Sequence, residues 1–296
     1  MEEGTPLRGI ILAGGTGQRL RPLTTGVNKH LLPVHDKPMI FYPLSTLISM
    51  GVRDVLLVTD PTYREGFERL IGDGKHLGIS VQYAVQDSPS GVAGALMAAR
   101  GFVEADLTTL VLGDNVFHGI GMKDLLSAGF EESKATIFSR SVPNGSSYGV
   151  VYTDRTGKPT RLVEKPKPPG PAEAVPGLYV YPSDVLDLVE TLSPSARGEL
   201  EISDLNQLYL NVSRLALRRL HKNVQWFDAG TLADLTAASR FVRELQEDTH
   251  CLVGSPEISA WCRGFIDDAD LQKLADWHGS SSYGHFLSHA LKAGWT

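Results

Sequence analysis

The stretch Leu12-Ala-Gly-Gly-Thr-Gly-Gln-Arg-Leu-Arg-Pro-Leu-Thr24 follows a short apolar run, Gly9-Ile-Ile-Leu12. Its small and basic residues are Gly14, Gly15, Gly17, Arg19 and Arg21. Glycines allow a tight turn that brings backbone N–H groups against an anion, and arginines match phosphate oxygens. A strand, a glycine turn and then cations predict a phosphate-rich ligand held at the end of a parallel strand.

The composition indicates an ordinary globular protein and excludes several classes of function. The chain has 296 residues, of which 42% are hydrophobic and 21% charged, enough for one large α/β domain or a domain with an appendage. The formal net charge of −6 argues against a nucleic-acid partner. No apolar run approaches the roughly 20 residues that a membrane-spanning helix needs, so we expect no membrane partner.

Two features of the sequence bear on its compartment. Cys251 and Cys262 lack the spacing of metal ligands and are too few for a disulfide framework. The acidic start of the chain, residues 1–6, lacks the basic-then-apolar order of a signal peptide. We therefore expect a cytoplasmic protein.

The first half of the chain alternates apolar strand-like runs with helix-like segments. The predicted strands are Gly9–Leu12, Val55–Thr59, Val81–Val85 and Thr109–Leu112, and the predicted helices are Met39–Met50, Pro61–Ile71 and Gly91–Phe102. This alternation predicts an α/β fold with a parallel sheet and helices on both faces. Ligands of such sheets bind at the carboxyl ends of the strands.

The second half of the chain has a different pattern. Short strands are predicted at Thr136–Val142, Gly149–Thr153, Thr160–Glu164 and Gly177–Tyr181, with a hairpin turn at Asp154–Gly157 and a proline-rich loop at Lys165–Pro171. They indicate a mixed or antiparallel addition that closes over the parallel half. Helices are predicted at Ser203–Asn211, Thr231–Leu245, Glu257–Cys262, Asp268–Trp277 and Tyr283–Lys292. We expect a core over 1–250 and a helical C-terminal extension, 251–296, packed on it.

The glycine loop has a competing interpretation as a dinucleotide-binding fingerprint. The run Gly15-Thr-Gly-Gln-Arg-Leu20 has the first two glycines of that motif, and Asp36 lies near the distance of a ribose-binding acid. However, Leu20 stands where the third glycine belongs, and Pro22 prevents a clean helix start. A glycine turn without any ligand would leave the two arginines unexplained.

Two acidic residues each follow a predicted strand. Asp114 lies in Gly113-Asp-Asn115, and Asp228 lies in Trp226-Phe-Asp-Ala-Gly230. Either one alone is compatible with an Asx turn or a helix cap. Together, beside the arginine loop, they favour a pair of carboxylates that grips a phosphate-bound divalent ion.

Further polar residues stand at strand ends. Lys29 is either a solvated strand end or a cation that converges on the same phosphates. Glu164 and Lys165 adjoin, so their side chains leave on opposite sides of the pleat, and one could meet hydroxyls while the other meets a phosphate. Tyr148-Gly149 and Val175-Pro-Gly-Leu-Tyr179 supply residues that suit either a sugar site or core packing.

The ordered set of motifs resembles the sugar-1-phosphate nucleotidylyltransferases, and most closely their long bacterial glucose-1-phosphate thymidylyltransferase branch. The resemblance covers nearly the whole chain, from the glycine loop to the tail Gly264-Phe-Ile-Asp-Asp268. It implies a Rossmann-like nucleotidyltransferase core, Mg²⁺ as cofactor, a homotetramer, and a nucleoside triphosphate and a hexose 1-phosphate as substrates. In long members a second nucleotide-sugar site lies by the C-terminal segment.

The resemblance also implies a role for each matching position. The implied catalytic residues are Arg19, Lys29 and Lys165. The implied nucleotide-binding residues are Leu12, Gly14, Gly15, Thr16, Gly17, His30, Gln86 and Gly91. The implied sugar-binding residues are Tyr148, Gly149, Glu164, Val175 and Tyr179, and the implied magnesium ligands are Asp114 and Asp228.

The chain departs from the family pattern at four positions. His30 and Gly94 each stand where the family usually has glutamine, Ala229 stands for threonine, and Cys262 stands where the tail usually has arginine. The glutamine at position 30 reads thymine in the family. At positions 30 and 94 the chain therefore lacks two side-chain amides that the family places near the base. Their loss predicts a nucleotide other than thymidine, or a relaxed selectivity, because a purine base would need the space that the two amides would fill.

Three alternatives therefore stay open at the level of the sequence. The first is the same transfer with GTP, ATP or UTP, or with a modified hexose or cyclitol phosphate as acceptor. The second is a non-catalytic regulator that binds a nucleotide-sugar. The third is the dehydrogenase that the partial glycine fingerprint suggests.

Overall fold

A ten-stranded mixed sheet organises the computed structural model, which describes residues 7–86, 90–103, 107–119 and 129–293. The strands are β1 Leu7–Leu12, β2 Pro33–Val34, β3 Lys37–Pro38, β4 Asp54–Thr59, β5 Ser80–Val85, β6 Leu107–Leu112, β7 Asn115–His118, β8 Ala135–Val142, β9 Gly149–Thr153, β10 Pro159–Glu164, β11 Ala172–Val175, β12 Leu178–Pro182, β13 Leu215–Arg219 and β14 Gln225–Asp228. The order across the large sheet is β10-β9-β11-β8-β12-β6-β1-β4-β5, with β13 paired to β8.

One half of this sheet is parallel. Strand β1 lies between β4 and β6, and β5 pairs with the outer side of β4. The interior of β1, from Gly9 to Leu12, is buried, as expected for a strand that helices cover on both faces. The carboxyl ends of β1, β5 and β6 consequently meet at one edge, where the glycine loop begins.

The other half is antiparallel and continues the same sheet. Strand β12 pairs antiparallel with β6 and with β8, and β11, β9 and β10 extend the sheet outward from there. The predicted antiparallel addition is thus a lateral extension of the parallel half, joined to it through β12.

A two-stranded ribbon crosses the carboxyl edge of the sheet. Strands β7 and β14 pair antiparallel, with Asp228 opposite Asn115. The backbone N–H of Ala229 donates to the carbonyl oxygen of Asp114 at 2.9 Å. This ribbon brings two acidic residues together although more than a hundred residues separate them along the chain.

The helices cover both faces of the sheet. They are α1 Phe41–Ser49, α2 Arg64–Ile71, α3 Gly91–Ala95, α4 Val185–Glu190, α5 Ile202–Asn211, α6 Leu232–Thr249, α7 Pro256–Cys262, α8 Asp268–His278 and α9 Ser282–Ala293. None of the helices in the described ranges is long and apolar enough to span a bilayer.

The last three helices share the core of the main sheet. Ile258, Leu271 and Leu287 belong to the same buried cluster as Leu47 of α1 and Leu57 of β4. Buried side chains of this kind each contribute about 1.5–3 kcal/mol of stability. The tail is therefore packed on the core, while a boundary at residue 250 stays a prediction.

The structure corrects the predicted helix Gly91–Phe102. The α-helix ends at Ala95 and continues only as a 3-10 turn, Leu96–Ala99. Glycines at 94 and 101 lower the helical propensity of this segment. Strands β7, β11 and β13 and helix α4 were not predicted, because each is short and gains its stability from neighbours distant in sequence.

Candidate active site

A cavity of about 390 Å³ opens where the carboxyl ends of the strands meet the ribbon. Its walls combine the glycine loop, the two acids and the predicted sugar side. Of the residues proposed from the sequence, the lining includes Leu12, Gly14, Gly15, Arg19, Lys29, His30, Gln86, Gly91, Asp114, Tyr148, Gly149, Glu164, Lys165, Val175, Tyr179 and Asp228. The structure thus brings sixteen separate positions into one site.

Two proposed residues lie outside this lining. Thr16 lines a neighbouring cavity of about 600 Å³ that shares Gly15 and Lys29 with the first. Gly17 has a φ of 58° and accepts a hydrogen bond from the Thr24 hydroxyl through its carbonyl oxygen, at 2.8 Å. The left-handed backbone explains why glycine stands at position 17, and its role in nucleotide binding stays a prediction.

Arg19 reaches across the loop to the acidic ribbon. A three-residue 3-10 turn, Gln18–Leu20, follows the glycines, in place of the α-helix that a dinucleotide site requires. A Cβ at Gly230 would lie 2.7 Å from Arg19 Nη2 and 3.0 Å from Asp228 Oδ1. Gly230 therefore makes room for the guanidinium group beside Asp228.

Two neighbours hold the Asp114 carboxylate. Lys29 Nζ lies 2.6 Å from Asp114 Oδ2, and Asn115 Nδ2 donates to Asp114 Oδ1 at 3.0 Å. Asn115 Oδ1 in turn accepts from Gly177 N at 3.0 Å and from Trp226 Nε1 at 2.7 Å. This buried amide fixes the carboxylate through contacts that the sequence patterns did not reveal.

The two acids differ in their electrostatics. Burial opposes the charge of Asp114, but the charge of Lys29 and the hydrogen bonds from Lys29 and Asn115 prevail and hold the pKa of Asp114 below the usual value. Burial and then the charge of Asp114 raise the pKa of Asp228 to about 7. Asp114 is thus ionised at neutral pH, whereas the surroundings of Asp228 oppose its ionisation.

This donor set fits Mg²⁺. The described part of the chain contains no group of three or more His, Cys, Asp or Glu side chains suited to a metal. Two carboxylates are nevertheless what Mg²⁺ commonly takes from a protein, with water and phosphate oxygens completing its octahedron. Burial first, and then the charge of Asp114, oppose the ionisation of Asp228, and a bound cation would favour it.

His30 occupies the floor of the cavity beside the acids. Its ring is nearly inaccessible, and its Nδ1 lies 2.8 Å from Asn28 Oδ1. Burial, and then the charge of Lys29, lower its pKa to about 3 against the opposing effect of Asp114. His30 is therefore a neutral packing group near Asp114, and its place at the base, inferred from the resemblance, stays a prediction.

The predicted sugar side of the cavity centres on Glu164. Ser203 Oγ donates to Glu164 Oε2 at 2.6 Å, and Arg197 Nη2 lies 3.6 Å from Glu164 Oε1. A Cβ at Gly149 would lie 2.6 Å from Ser203 Oγ and would disturb this pair. Tyr148 contacts the Trp226 ring, with ring centroids 5.1 Å apart.

Lys165 adopts an unusual backbone conformation. Its φ is 45°, a left-handed value that costs a non-glycine residue roughly 1 kcal/mol or more. Its N–H donates to Tyr148 O at 2.9 Å, and its Nζ lies 3.7 Å from Glu164 Oε1. Because of this turn, the side chains of Lys165 and Glu164 both line the same cavity. The alternation of side chains along a strand predicts instead that they leave on opposite faces of the sheet.

The comparisons with known proteins agree with this geometry. The nucleotidyl transferase family model matches residues 8–244. The chain therefore belongs to the nucleotidyl transferase family and is an enzyme of that class. A dinucleotide-dependent dehydrogenase is excluded, since Asp36 lies between β2 and β3 and its carboxylate binds Lys37 and Gln246.

Individual relatives show which members of the nucleotidyl transferase family the chain is similar to. A glucose-1-phosphate thymidylyltransferase of Mycolicibacterium smegmatis is 47% identical over 96% of this chain and 99% of its own length. One from Xanthomonas campestris is 44% identical over 98% of this chain and 99% of its own. A Bacillus anthracis protein assigned as a glucose-1-phosphate thymidylyltransferase, in complex with sucrose, superposes with a TM-score of 0.74 at 36% identity, covering 80% of this chain and 96% of its own.

Several lining residues escaped the sequence patterns. They are Val58, Val92, Ala95, Leu112, Asn115, Ser147, Gly177, Glu199, Ile202 and Trp226. Asn115 and Trp226 lie in the two sequence runs quoted around Asp114 and Asp228, so their position in the sequence could have identified them as site residues. Gly177 also lies in a quoted run, and Val92 and Ser147 adjoin predicted site residues. The remaining side chains reach the cavity only through the folded sheet.

Proposed function

We propose that this enzyme transfers a thymidylyl group from dTTP to glucose 1-phosphate, giving dTDP-glucose and pyrophosphate. The observation that carries the proposal is one cavity that joins a glycine–arginine loop, a carboxylate pair, and a Glu164–Lys165 corner. Those three parts suit a triphosphate, a divalent ion and a phosphorylated sugar, respectively. The names of the relatives supply the particular nucleotide and sugar.

The reaction needs no general base. A phosphate-monoester oxygen of the sugar phosphate, already anionic at neutral pH, attacks the α-phosphorus in line. The new O–Pα bond forms as the bond from Pα to the bridging oxygen breaks, and that oxygen leaves with pyrophosphate. Lys165 steers the incoming phosphate, while Arg19 and Lys29 offset the charge that develops on the leaving group.

Asp114 and Asp228 are the residues that would hold Mg²⁺. When bound, the ion neutralises phosphate charge and orients the phosphate oxygens for displacement. Asp114 is kept ionised by its neighbours, so it is ready to bind a cation at neutral pH. Asn115 keeps the Asp114 carboxylate in place for this purpose through its 3.0 Å hydrogen bond.

Pyrophosphate release from a panel of triphosphates and sugar phosphates tests the proposal. We expect the highest kcat/KM for dTTP with glucose 1-phosphate. Preference for GTP, ATP or UTP, or for a modified hexose or cyclitol phosphate, would favour the same transfer on other substrates, the alternative that His30 and Gly94 raised at the level of the sequence. Binding without release would instead indicate a nucleotide-sugar-binding regulator and contradict the proposal.

We further propose a cytoplasmic homotetramer with a core over 1–250 and an extension from 251. Two cysteines, too few for a disulfide framework, suit a reducing compartment. Light scattering at a mass four times that of the chain would support the tetramer, and the mass of a single chain would refute it.

A further inference from the structure

Gln86 has its side-chain amide fixed at one end. It follows β5 at the edge of the cavity, and its Nε2 donates to Ser90 Oγ at 2.8 Å. A Cβ at Gly14 would lie 3.7 Å from Gln86 Oε1, so the carbonyl oxygen faces the glycine loop. Ser90 therefore takes one of the two amide hydrogens of Gln86, and the carbonyl oxygen is the end that faces the glycine loop.

Ser90 also fills the space beside Gly94. A Cβ at Gly94 would overlap the Ser90 hydroxyl and lie 2.7 Å from Ser90 Cβ. The glutamine usual in the family at this position would not fit beside Ser90 as it stands here. The glycine at 94 consequently opens no room for a purine, contrary to the expectation from the sequence.

The backbone around Ser90 is clamped to a distant segment. Leu200 N donates to Ser90 O at 2.9 Å, and Ala93 N donates to Leu200 O at 3.2 Å. Gly91 has a φ of 85°, and a Cβ there would lie 2.5 Å from Leu200 O. Because this clamp holds its backbone, Ser90 keeps its hydroxyl at a defined distance from Gln86.

We propose that Ser90 is a positioning residue for base recognition, which orients Gln86 so that its carbonyl oxygen accepts a hydrogen bond from a ring N–H of the base. This inference rests on the proposed function, in which the nucleotide lies along the glycine loop. An acceptor at that point matches a pyrimidine whose N3 carries a hydrogen, as in thymine or uracil. Cytosine presents an unprotonated N3, and an acceptor facing an acceptor is unfavourable.

Ser90→Ala tests the proposal by the ratio of kcat/KM for dTTP to that for dCTP. We expect the ratio to fall about tenfold, the scale of one oriented hydrogen bond. The loss should appear in KM for dTTP with kcat and KM for glucose 1-phosphate retained, because the base lies away from the reacting phosphates. A ratio within about twofold of the wild type would overturn the proposal.

Two further variants, one a control and one a second test, accompany this experiment. Ser80→Ala makes the same change at the exposed start of the strand that ends before Gln86, and its ratio should equal that of the wild type. Gly94→Ala should lower the ratio as Ser90→Ala does, because the new Cβ would displace the hydroxyl. An unchanged ratio in a Gly94→Ala protein with normal thermal stability would contradict the proposal.

Calorimetric binding separates this inference from the proposed function. If wild-type protein releases no pyrophosphate with any substrate pair, the proposed function fails. The Ser90 proposal then still requires dTTP to bind more tightly than dCTP and Ser90→Ala to remove that difference. Equal affinities of the wild type for the two nucleotides would refute it.

Discussion

The buried neutral histidine at position 30 makes a quantitative prediction about stability. Asn28 Nδ2 donates to Ala13 O at 3.0 Å, so Asn28 Oδ1 is left to accept from His30 Nδ1. Burial and Lys29 lower the pKa of His30 to about 3, from an ordinary value of 6.5. Between these two pKa values, His30 is therefore neutral in the folded protein and protonated in the unfolded chain.

The sign and size of the effect follow from this difference. Below pH 6.5 the unfolded chain binds a proton that folded His30 does not, so stability falls as the pH drops toward 3. Each pKa unit is worth about 1.4 kcal/mol. At pH 5 the loss relative to pH 8 is thus about 2 kcal/mol from this residue alone.

Urea unfolding at pH 8 and pH 5 measures the loss, with His30→Gln as the comparison protein. Other groups titrate in both proteins, so the difference between their pH effects isolates His30. We expect the wild type to lose about 2 kcal/mol more than the variant between the two pH values. Equal losses would show that His30 titrates normally in the folded state and refute the reasoning.

Three further predictions concern the catalytic parts of the cavity. Arg19→Ala should lower kcat for pyrophosphate release about 100-fold, the scale of a lost electrostatic stabiliser; near-normal turnover would remove Arg19 from catalysis. Gly149→Ala, whose Cβ would lie 2.6 Å from Ser203 Oγ, should raise KM for glucose 1-phosphate about tenfold and leave KM for dTTP unchanged; an equal rise in both would point to general damage. Asp228→Asn should weaken Mn²⁺ binding to the dTTP complex at least about tenfold by electron paramagnetic resonance, and unchanged affinity would exclude Asp228 as a ligand.

Local signals in the sequence predicted the parallel half of the fold, whereas most of the predicted site positions came from the family resemblance. The glycine loop, the strand before Asp114 and the helix around Leu47 are local patterns, and each forms within a residue or two of its predicted place. Such segments carry their information in neighbouring residues, because backbone turns and apolar periodicity are local properties.

The pairing of distant segments could not be predicted in the same way. The sequence suggested that Asp114 and Asp228 act together, but only the β7–β14 ribbon shows how Ala229 N reaches Asp114 O, at 2.9 Å. The same holds for Ser90, whose hydroxyl occupies the space beside Gly94. A single sequence cannot reveal that the space left by a smaller residue at one position is filled by the side chain of another residue.

Glucose 1-phosphate labelled with oxygen-18 in its phosphate tests the central claim, nucleotidyl transfer to the sugar phosphate. Attack of a sugar-phosphate oxygen on the α-phosphorus of dTTP would place all the label in dTDP-glucose and none in pyrophosphate. Phosphorus NMR resolves the label through its isotope shift, including the labelled oxygen that bridges the two phosphates. Label in the released pyrophosphate, or an unlabelled bridge, would contradict the mechanism.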